Sequence, residues 1–230
     1  MNDQTLAIAI DGPVASGKGE IAARLASTLH LLYIYTGAMY RALALACINE
    51  GVPFKDEKRV ESLLERSDID MSAPDPGSGY PYKIVLNGQD VTARIIKQDT
   101  AQGASDVGSL SGVRKWMVKR QKEIARGKRI VMEGRDIGLR VLPDAQLKIY
   151  LTASLDERAK RRFNQWQTQG IQKTLEETKE DTRIRDLQDT TRKIDPLQKV
   201  DDAWELDTTH MNPDEVVTTI IGELKRRRLV

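Results

Sequence analysis

The sequence predicts an α/β protein, a doubly wound parallel sheet with helices on both faces. Three observations lead there. Short apolar runs alternate with amphipathic segments along most of the chain. The first apolar run passes through a Gly-rich turn straight into a helix. Near the other end, a strand-like piece at 203–206 precedes Asn212-Pro213, which opens a helix with Asn as cap and Pro first.

The elements follow in order. Thr5 to Ile10 (TLAIAI) ends at Asp11-Gly12-Pro13 and reads as a buried parallel strand. Between Gly17 and Leu29, the residues Ile21, Ala22, Leu25, Ala26 and Leu29 recur at helical spacing, with Arg24 and Ser27 off that face. Gly37 to Glu50 is a second helix, closed by Gly51-Val52-Pro53. A third covers Asp56 to Glu65. Then the character changes. Short strand-like pieces at 69–71, 82–86 and 90–91 are separated by PDPGSGYP and by Asn87-Gly88, a hairpin signal. Residues 68–92 therefore read as a small β insertion. Helices resume at 97–107 and 111–126. Lys128 to Met132 and Leu147 to Leu151 are buried-strand candidates, the first ending at Glu133-Gly134-Arg135-Asp136. Segments 154–169 and 174–193 are long, charged and helical by composition, and the last helix runs to Arg228. No repeat and no Gly/Ser linker divides the chain, so residues 1–230 read as a single domain.

Composition excludes several classes. The 230 residues carry 36 Lys plus Arg against 34 Asp plus Glu, a net charge of +2, with 40% hydrophobic and 30% charged residues. Disorder needs less hydrophobicity and more net charge. Collagen-like chains need far more than 16 Gly and 8 Pro. The single cysteine, Cys47, excludes an internal disulfide framework and a cysteine-rich zinc module, and fits a reducing compartment. Two histidines, His30 and His210, argue against a histidine metal site. No apolar run reaches the roughly 18 residues of a membrane span. The start, MNDQTLAIAIDG, lacks the basic residues and long apolar core of a signal peptide. A cytoplasmic protein without a membrane partner is expected. The near-neutral charge gives no reason to invoke nucleic acid. The basic run Lys225 to Arg228 equally suits the negative end of a helix dipole. Nothing demands an oligomer, so a monomer is expected.

Gly12 to Gly19 reads GPVASGKG and matches seven of the eight positions of G-x-x-x-x-G-K-[ST]. It stands after a strand and opens a helix, as a P-loop must, and the fold becomes a P-loop doubly wound sheet. Its glycines permit backbone angles that a Cβ forbids, successive N–H groups form an anion site, and the helix start adds its positive dipole end. Lys18 supplies an ammonium for β- and γ-phosphate oxygens. Gly19 stands where many P-loops carry a Mg²⁺-binding hydroxyl, so Mg²⁺ would rely on phosphate oxygens and water, with no protein ligand assigned.

A second set of basic groups follows. Thr36-Gly37-Ala38-Met39-Tyr40-Arg41 places a hydroxyl at a helix start with Tyr40 and Arg41 one turn later. By itself it is also what a Thr cap with a surface Arg would look like. Arg135 and Asp136 follow a strand, where open parallel sheets bind ligands, although a turn with a local ion pair has the same look. Arg158 and Arg162 share a helix face with Arg161 beside them. Arg183, Arg185 and Arg192 are interleaved with Asp181, Asp186 and Asp189, as on many solvated faces. Phosphoryl transfer needs positive groups around the equatorial oxygens and reactants in line, and a closing flap keeps water from competing as acceptor. The 154–193 segment is the lid candidate.

Four segments, IDGPVASGKG, TGAMYRALAL, EGRDIG with VLPDA just after, and RIRDLQDTTRKIDPL, occur in the order found in bacterial cytidylate kinases. The chain resembles that family over nearly its whole length, and the β insertion matches the one that sets these enzymes apart from shorter nucleoside monophosphate kinases. The resemblance implies transfer of the γ-phosphate of ATP to CMP or dCMP, with Mg²⁺, giving ADP and CDP or dCDP. It implies an acceptor-binding insertion at about 36–110 and a lid at about 154–193. It places ATP on Gly12, Pro13, Val14, Ala15, Ser16, Gly17, Lys18 and Gly19. It places the acceptor phosphate on Arg41, Arg135 and Arg192, with Thr36 and Tyr40 beside it. Ser105, Arg114 and Asp136 would read the cytosine edge, and Arg185 with Asp189 the ribose. Arg158, Arg161 and Arg162 would be unranked lid arginines.

The implied chemistry is coherent. Cytosine offers acceptors at O2 and N3 and a donor at N4, which an Arg donor and an Asp acceptor complement. Uracil reverses part of that pattern and should be the poorer acceptor. No general base is needed, because a phosphomonoester has its second pKa near 6. The catalytic set is thus Lys18, Arg41, Arg135, Arg192 and the lid arginines. Two rivals remain: a kinase for another acceptor such as UMP or AMP, and a P-loop switch without kinase activity. The chain departs from the family pattern at Tyr35, usually acidic, at Glu20, usually Thr, and at Leu139-Arg140, usually Thr-Val. A final expectation concerns charge: apart from Asp136 and Asp189, the acids that balance these cations should mostly lie away from the site.

Overall fold

The computed structural model describes residues 6–230; the expected strand start at Thr5 lies outside them. Five parallel strands form the main sheet: β1 (Ala7–Asp11), β2 (Leu32–Tyr35), β6 (Ile130–Gly134), β7 (Leu147–Thr152) and β8 (Trp204–Asp207), in the order β2-β6-β1-β7-β8. Ile8, Ile10 and Ile34 on these strands are fully buried, which is why they read as unbroken apolar runs. The helices are α1 (Lys18–Leu29), α2 (Thr36–Asn49), α3 (Glu57–Glu65), α4 (Gln98–Val107), α5 (Ser111–Ala125), α6 (Leu155–Thr168), α7 (Leu175–Thr191) and α8 (Pro213–Arg226). Strands β3 (Ile69–Ser72), β4 (Lys83–Leu86) and β5 (Gln89–Asp90) make the separate antiparallel sheet expected of the insertion.

Local chemistry sets the helix starts. Asn212 accepts from the N–H groups of Asp214 and Glu215, and Glu215 returns a bond to the Asn212 N–H, with Pro213 in the first turn. Thr174 and Glu177 make the same reciprocal cap on α7, and Ser154 caps α6.

Three features were not anticipated. Leu32–Tyr35 is a strand; its four residues are too few to show a period and follow directly on α1. Strand β6 lies two residues later than expected, so Glu133 and Gly134 belong to it. Residues Ile137–Val141 form a wide helical turn closed by the Leu142 N–H on the Ile137 carbonyl. The Asp11 carboxylate holds that turn by accepting from the Ile137 and Gly138 N–H groups, each at 2.8 Å. Burial raises the Asp11 carboxyl to about 6 against those two bonds.

Register decides what meets at the sheet's carboxyl edge. Asp11 pairs with Gly134 and with Tyr150, and Tyr35 pairs with Glu133. The Gly12 loop, Thr36 and Arg135 therefore emerge side by side. The chain fans out to both sides of β1, leaving a crevice at that switch point.

Candidate active site at the carboxyl ends of the strands

A cleft of about 1070 Å³ opens at this edge. One side is the loop after β1. Gly12 adopts φ +153°, and a Cβ there would stand 2.0 Å from the Leu151 carbonyl oxygen, so no other residue fits. Ala15 and Gly17 also have positive φ, the backbone pattern of anion-binding concavities. Gly17 begins α1 with no side-chain cap, which leaves first-turn N–H groups to a ligand. Val14, Ala15, Gly17, Lys18 and Gly19 line the cleft. Gly12, Pro13 and Ser16 stand behind it.

Lys18 is buried, and its Nζ donates to the Pro13 carbonyl at 2.6 Å and to Ser16 Oγ at 3.2 Å. Burial first, and then Arg135, push its pKa down to about 7, against Glu133, Asp189 and Asp11. A bound polyphosphate supplies the missing counter-charge and restores the ammonium form. Nucleotide binding is therefore expected to take up a proton above pH about 7, and affinity to fall as pH rises through that value. Calorimetry in buffers of different ionisation enthalpy checks this; identical heats at pH about 8 would refute it.

The other side of the cleft gathers every acceptor residue expected from sequence: Thr36, Tyr40, Arg41, Ser105, Arg114, Arg135, Asp136, Arg185, Asp189 and Arg192. Thr36 Oγ1 donates to the Glu133 carbonyl at 2.8 Å, and Arg41 to the Ile95 carbonyl at 3.2 Å. Burial raises the Tyr40 hydroxyl to about 12 despite Arg114. Arg114 and Asp136 form a buried pair at 2.6 Å. Asp136 also lies 3.5 Å from Arg192, and Arg114 lies 3.4 Å from Asp195. Arg135 donates to Asp189 at 2.7 Å, with Arg185 at 3.6 Å from the same carboxylate. Burial pushes the Asp189 carboxyl up, but Arg135 and Arg185 outweigh it and hold it below the usual range.

The three arginines expected of a lid separate. Arg161 and Arg162 line the cleft. Arg158 does not, contrary to expectation. It is buried in the first turn of α6, donating to Ala153 O at 2.9 Å, Val14 O at 3.2 Å and Asp186 at 2.5 Å. Asp186 of α7 also accepts from the Val14 N–H at 3.2 Å. Arg158 thus ties α6 and α7 to the phosphate loop. Arg161 is engaged with Glu157 at 2.9 Å and with Thr208 O at 2.6 Å.

The expected segregation of charge is also corrected. Glu133, Asp186 and Asp195, besides Asp136 and Asp189, stand among the arginines. Desolvated guanidinium groups are costly without counter-charges, so acids must accompany them. Asp195 sits at φ +47° before Pro196 and pairs with both Arg114 and Arg140. That gives Arg140, one of the departures from the family pattern, a definite partner.

Glu133 is the main residue that sequence reasoning left without a role. Burial raises its carboxyl against Lys18 and Arg135, and it accepts from the Tyr33 hydroxyl. Tyr33 Oη and Glu133 Oε1 lie 3.4 and 3.7 Å from where a Cβ on Gly19 would stand. The space that a hydroxyl on residue 19 would use is thus bordered by polar groups from β2 and β6. Placing β6 two residues later would have put Glu133 at the sheet edge. Tyr35 folds its ring across Gly37, 2.5 Å from a notional Cβ, and lies against Tyr82 of the insertion with centroids 5.5 Å apart. Glu20 is exposed and paired with Arg24 at 2.7 Å, and Arg24 also reaches Asp214 of α8 at 2.5 Å. Glu20 nevertheless lines the cleft, so Arg24 meets its charge at the rim of the site.

Known proteins of one family resemble this chain along almost its whole length. The sequence model of the family described as "Cytidylate kinase" matches residues 8–226. A cytidylate kinase of Lactobacillus johnsonii is 42% identical over 96% of this chain and 94% of its own length. Those of Caldanaerobacter subterraneus and Bacillus licheniformis are 40% and 42% identical, over 98% and 95% of this chain and 97% and 96% of theirs. A solved structure of an uncharacterized Eubacterium ventriosum protein aligns with a TM-score of 0.50 at 13% identity, over 97% of this chain and 99% of that one, a likeness of fold alone. With its phosphate loop, its ordered motifs and these relatives along almost its whole length, the chain belongs to the cytidylate kinase family.

Proposed function

We infer that the protein transfers the γ-phosphate of ATP to CMP or dCMP, giving ADP and CDP or dCDP. The observation that carries this reading is one cleft joining a P-loop to a second arginine-lined region that contains the buried Arg114–Asp136 pair. A nucleotide switch needs only the first of these.

Each side chain then has a task. The loop and Lys18 hold the ATP phosphates, and Lys18 follows the charge as it moves. Arg41, Arg135 and Arg192 hold the acceptor phosphate in line. Arg192 Nη2 is buried without a hydrogen-bond partner, a donor ready for an anion. Asp136 and Arg114, with Ser105, read the cytosine edge, their pairing fixing which face each presents. Arg185 and Asp189 hold the ribose. Arg161 and Arg162 approach the transferring group from α6, and residues 154–193 close as a lid that excludes water. Residues 36–110 carry the acceptor.

Among the described residues no group of three or more His, Cys, Asp or Glu could hold a metal ion. Mg²⁺ would be carried in on the triphosphate, and Glu133, which lines the cleft and borders the space beside Gly19, is the acid that would face it. When bound, the ion offsets phosphate charge; holding and orienting the two nucleotides is left to the arginines and Lys18.

A monomeric cytoplasmic enzyme acting on free nucleotides, without nucleic-acid or membrane partners, goes with this reading. Cys47 is free and buried, and among the described residues no helix is long and apolar enough to cross a membrane. The test is a coupled assay of ADP formation across CMP, dCMP, UMP, AMP and GMP. CMP or dCMP should turn over fastest. A faster acceptor outside that pair, or ATP consumption that ignores the acceptor, would overturn the reading.

A further inference from the structure

Arg162 differs from the other arginines of the cleft. Arg41, Arg114, Arg135, Arg161, Arg185 and Arg192 each have a carbonyl, hydroxyl or carboxylate partner. Among the described residues Arg162 has none, and its Nε is buried and unsatisfied. A half-buried guanidinium whose Nε is buried and unsatisfied is costly and needs something to hold it. What holds it is an aromatic face. The Arg162 guanidinium carbon lies 4.7 Å from the centroid of Trp166, one turn further along α6. The ring itself is secured. Lys173 Nζ also lies 4.7 Å from the centroid, and that ammonium is paired with Asp181 of α7. Trp166 is not part of the cleft wall, whereas Arg162 is.

The geometry points to Trp166 as the residue that positions Arg162 for the phosphoryl group in flight. This rests on the kinase reading above. A carboxylate partner would occupy guanidinium N–H donors and have to be displaced when substrate arrives. A π face attracts the cation through its quadrupole and uses none of the five donors. Arg162 is therefore held in place, half-buried and with its donors unspent. Burial, and then Arg185, lower its pKa, with Arg41 and Arg135 adding to this and Asp181 opposing. A polyanion entering the cleft relieves that repulsion, and relieves it most where negative charge is greatest. Trp166 is a positioning residue: it acts through Arg162 and touches no reacting atom.

A double-mutant cycle on the full-length enzyme tests this, with circular dichroism and thermal unfolding run on every variant. Trp166→Leu keeps an apolar side chain but removes the π face. It is expected to lower kcat about tenfold, with KM for CMP little changed. Trp166→Phe, which restores a face, should recover most of the loss. In an Arg162→Ala background, Trp166→Leu should cost nothing more, because its target is gone. Additive losses, a Phe variant as poor as the Leu variant, or an Arg162→Ala enzyme with undiminished kcat would each overturn the inference while leaving the kinase reading intact. A wild-type enzyme that makes no ADP in response to CMP would instead overturn the kinase reading itself.

Discussion

Lys18→Ala is expected to lower turnover with CMP by about 10²–10³-fold, the usual cost of deleting one preorganised donor at a developing charge. The reason is positional. Lys18 opens α1, is buried, and is braced by the Pro13 carbonyl and Ser16 hydroxyl of its own loop. Binding a polyphosphate needs no reorganisation of the loop, only exchange of those acceptors for phosphate oxygens. The unfolding temperature should move far less than turnover. A protonated Lys18 is disfavoured by burial in the free protein, so its removal relieves a cost as well as losing two hydrogen bonds. Steady-state assays with thermal unfolding on the same preparation check both halves. If turnover fell only in proportion to the fraction unfolded, the ammonium would have no catalytic part.

The second large effect is expected at Asp136. Its carboxylate is the 2.6 Å partner of Arg114, whose side chain is 3% exposed, and the nearest acid to Arg192. Asp136→Ala strands buried positive charge, with Asp195 at 3.4 Å as the remaining carboxylate for Arg114. The cost should be about 3 kcal/mol, the lower end for breaking a buried pair. That corresponds to a fall of roughly 6–12 °C in melting temperature for a domain of this size. Asp136→Asn separates specificity from stability. It keeps one acceptor oxygen and adds an amide donor, so it suits uracil better and cytosine worse. The ratio of kcat/KM for CMP to that for UMP should fall several-fold. An unchanged ratio would show that Asp136 does not read the base.

These expectations draw on different depths of the chain. The phosphate loop was legible because its function demands residue types at fixed local spacing: Gly where φ is positive, Lys at the helix start, and a strand before them. The capped helix starts and the Asn-Gly hairpin were legible for the same reason. Strand β2 was not, because four residues between two helices carry too little pattern. Strand β6 was found two residues early, which left Glu133 outside the sheet and without a role. The wide turn at 137–141 depends on Asp11, more than a hundred residues away in the chain.

Local chemistry, read along the chain, was enough to point to an α/β protein of the cytidylate kinase family and to most of the residues that its structure brings into one cleft. The fate of each charge was settled by packing. Arg158 was drawn beneath the loop, Arg162 was left without a carboxylate over Trp166, and Glu133, Asp186 and Asp195 were placed among cations whose balancing acids were expected mostly elsewhere. Spacing along a helix says which arginines share a face. Which carboxylate each one meets depends on distances between segments far apart in sequence, and in a low-dielectric cleft those distances decide whether a guanidinium is a brace or a free donor.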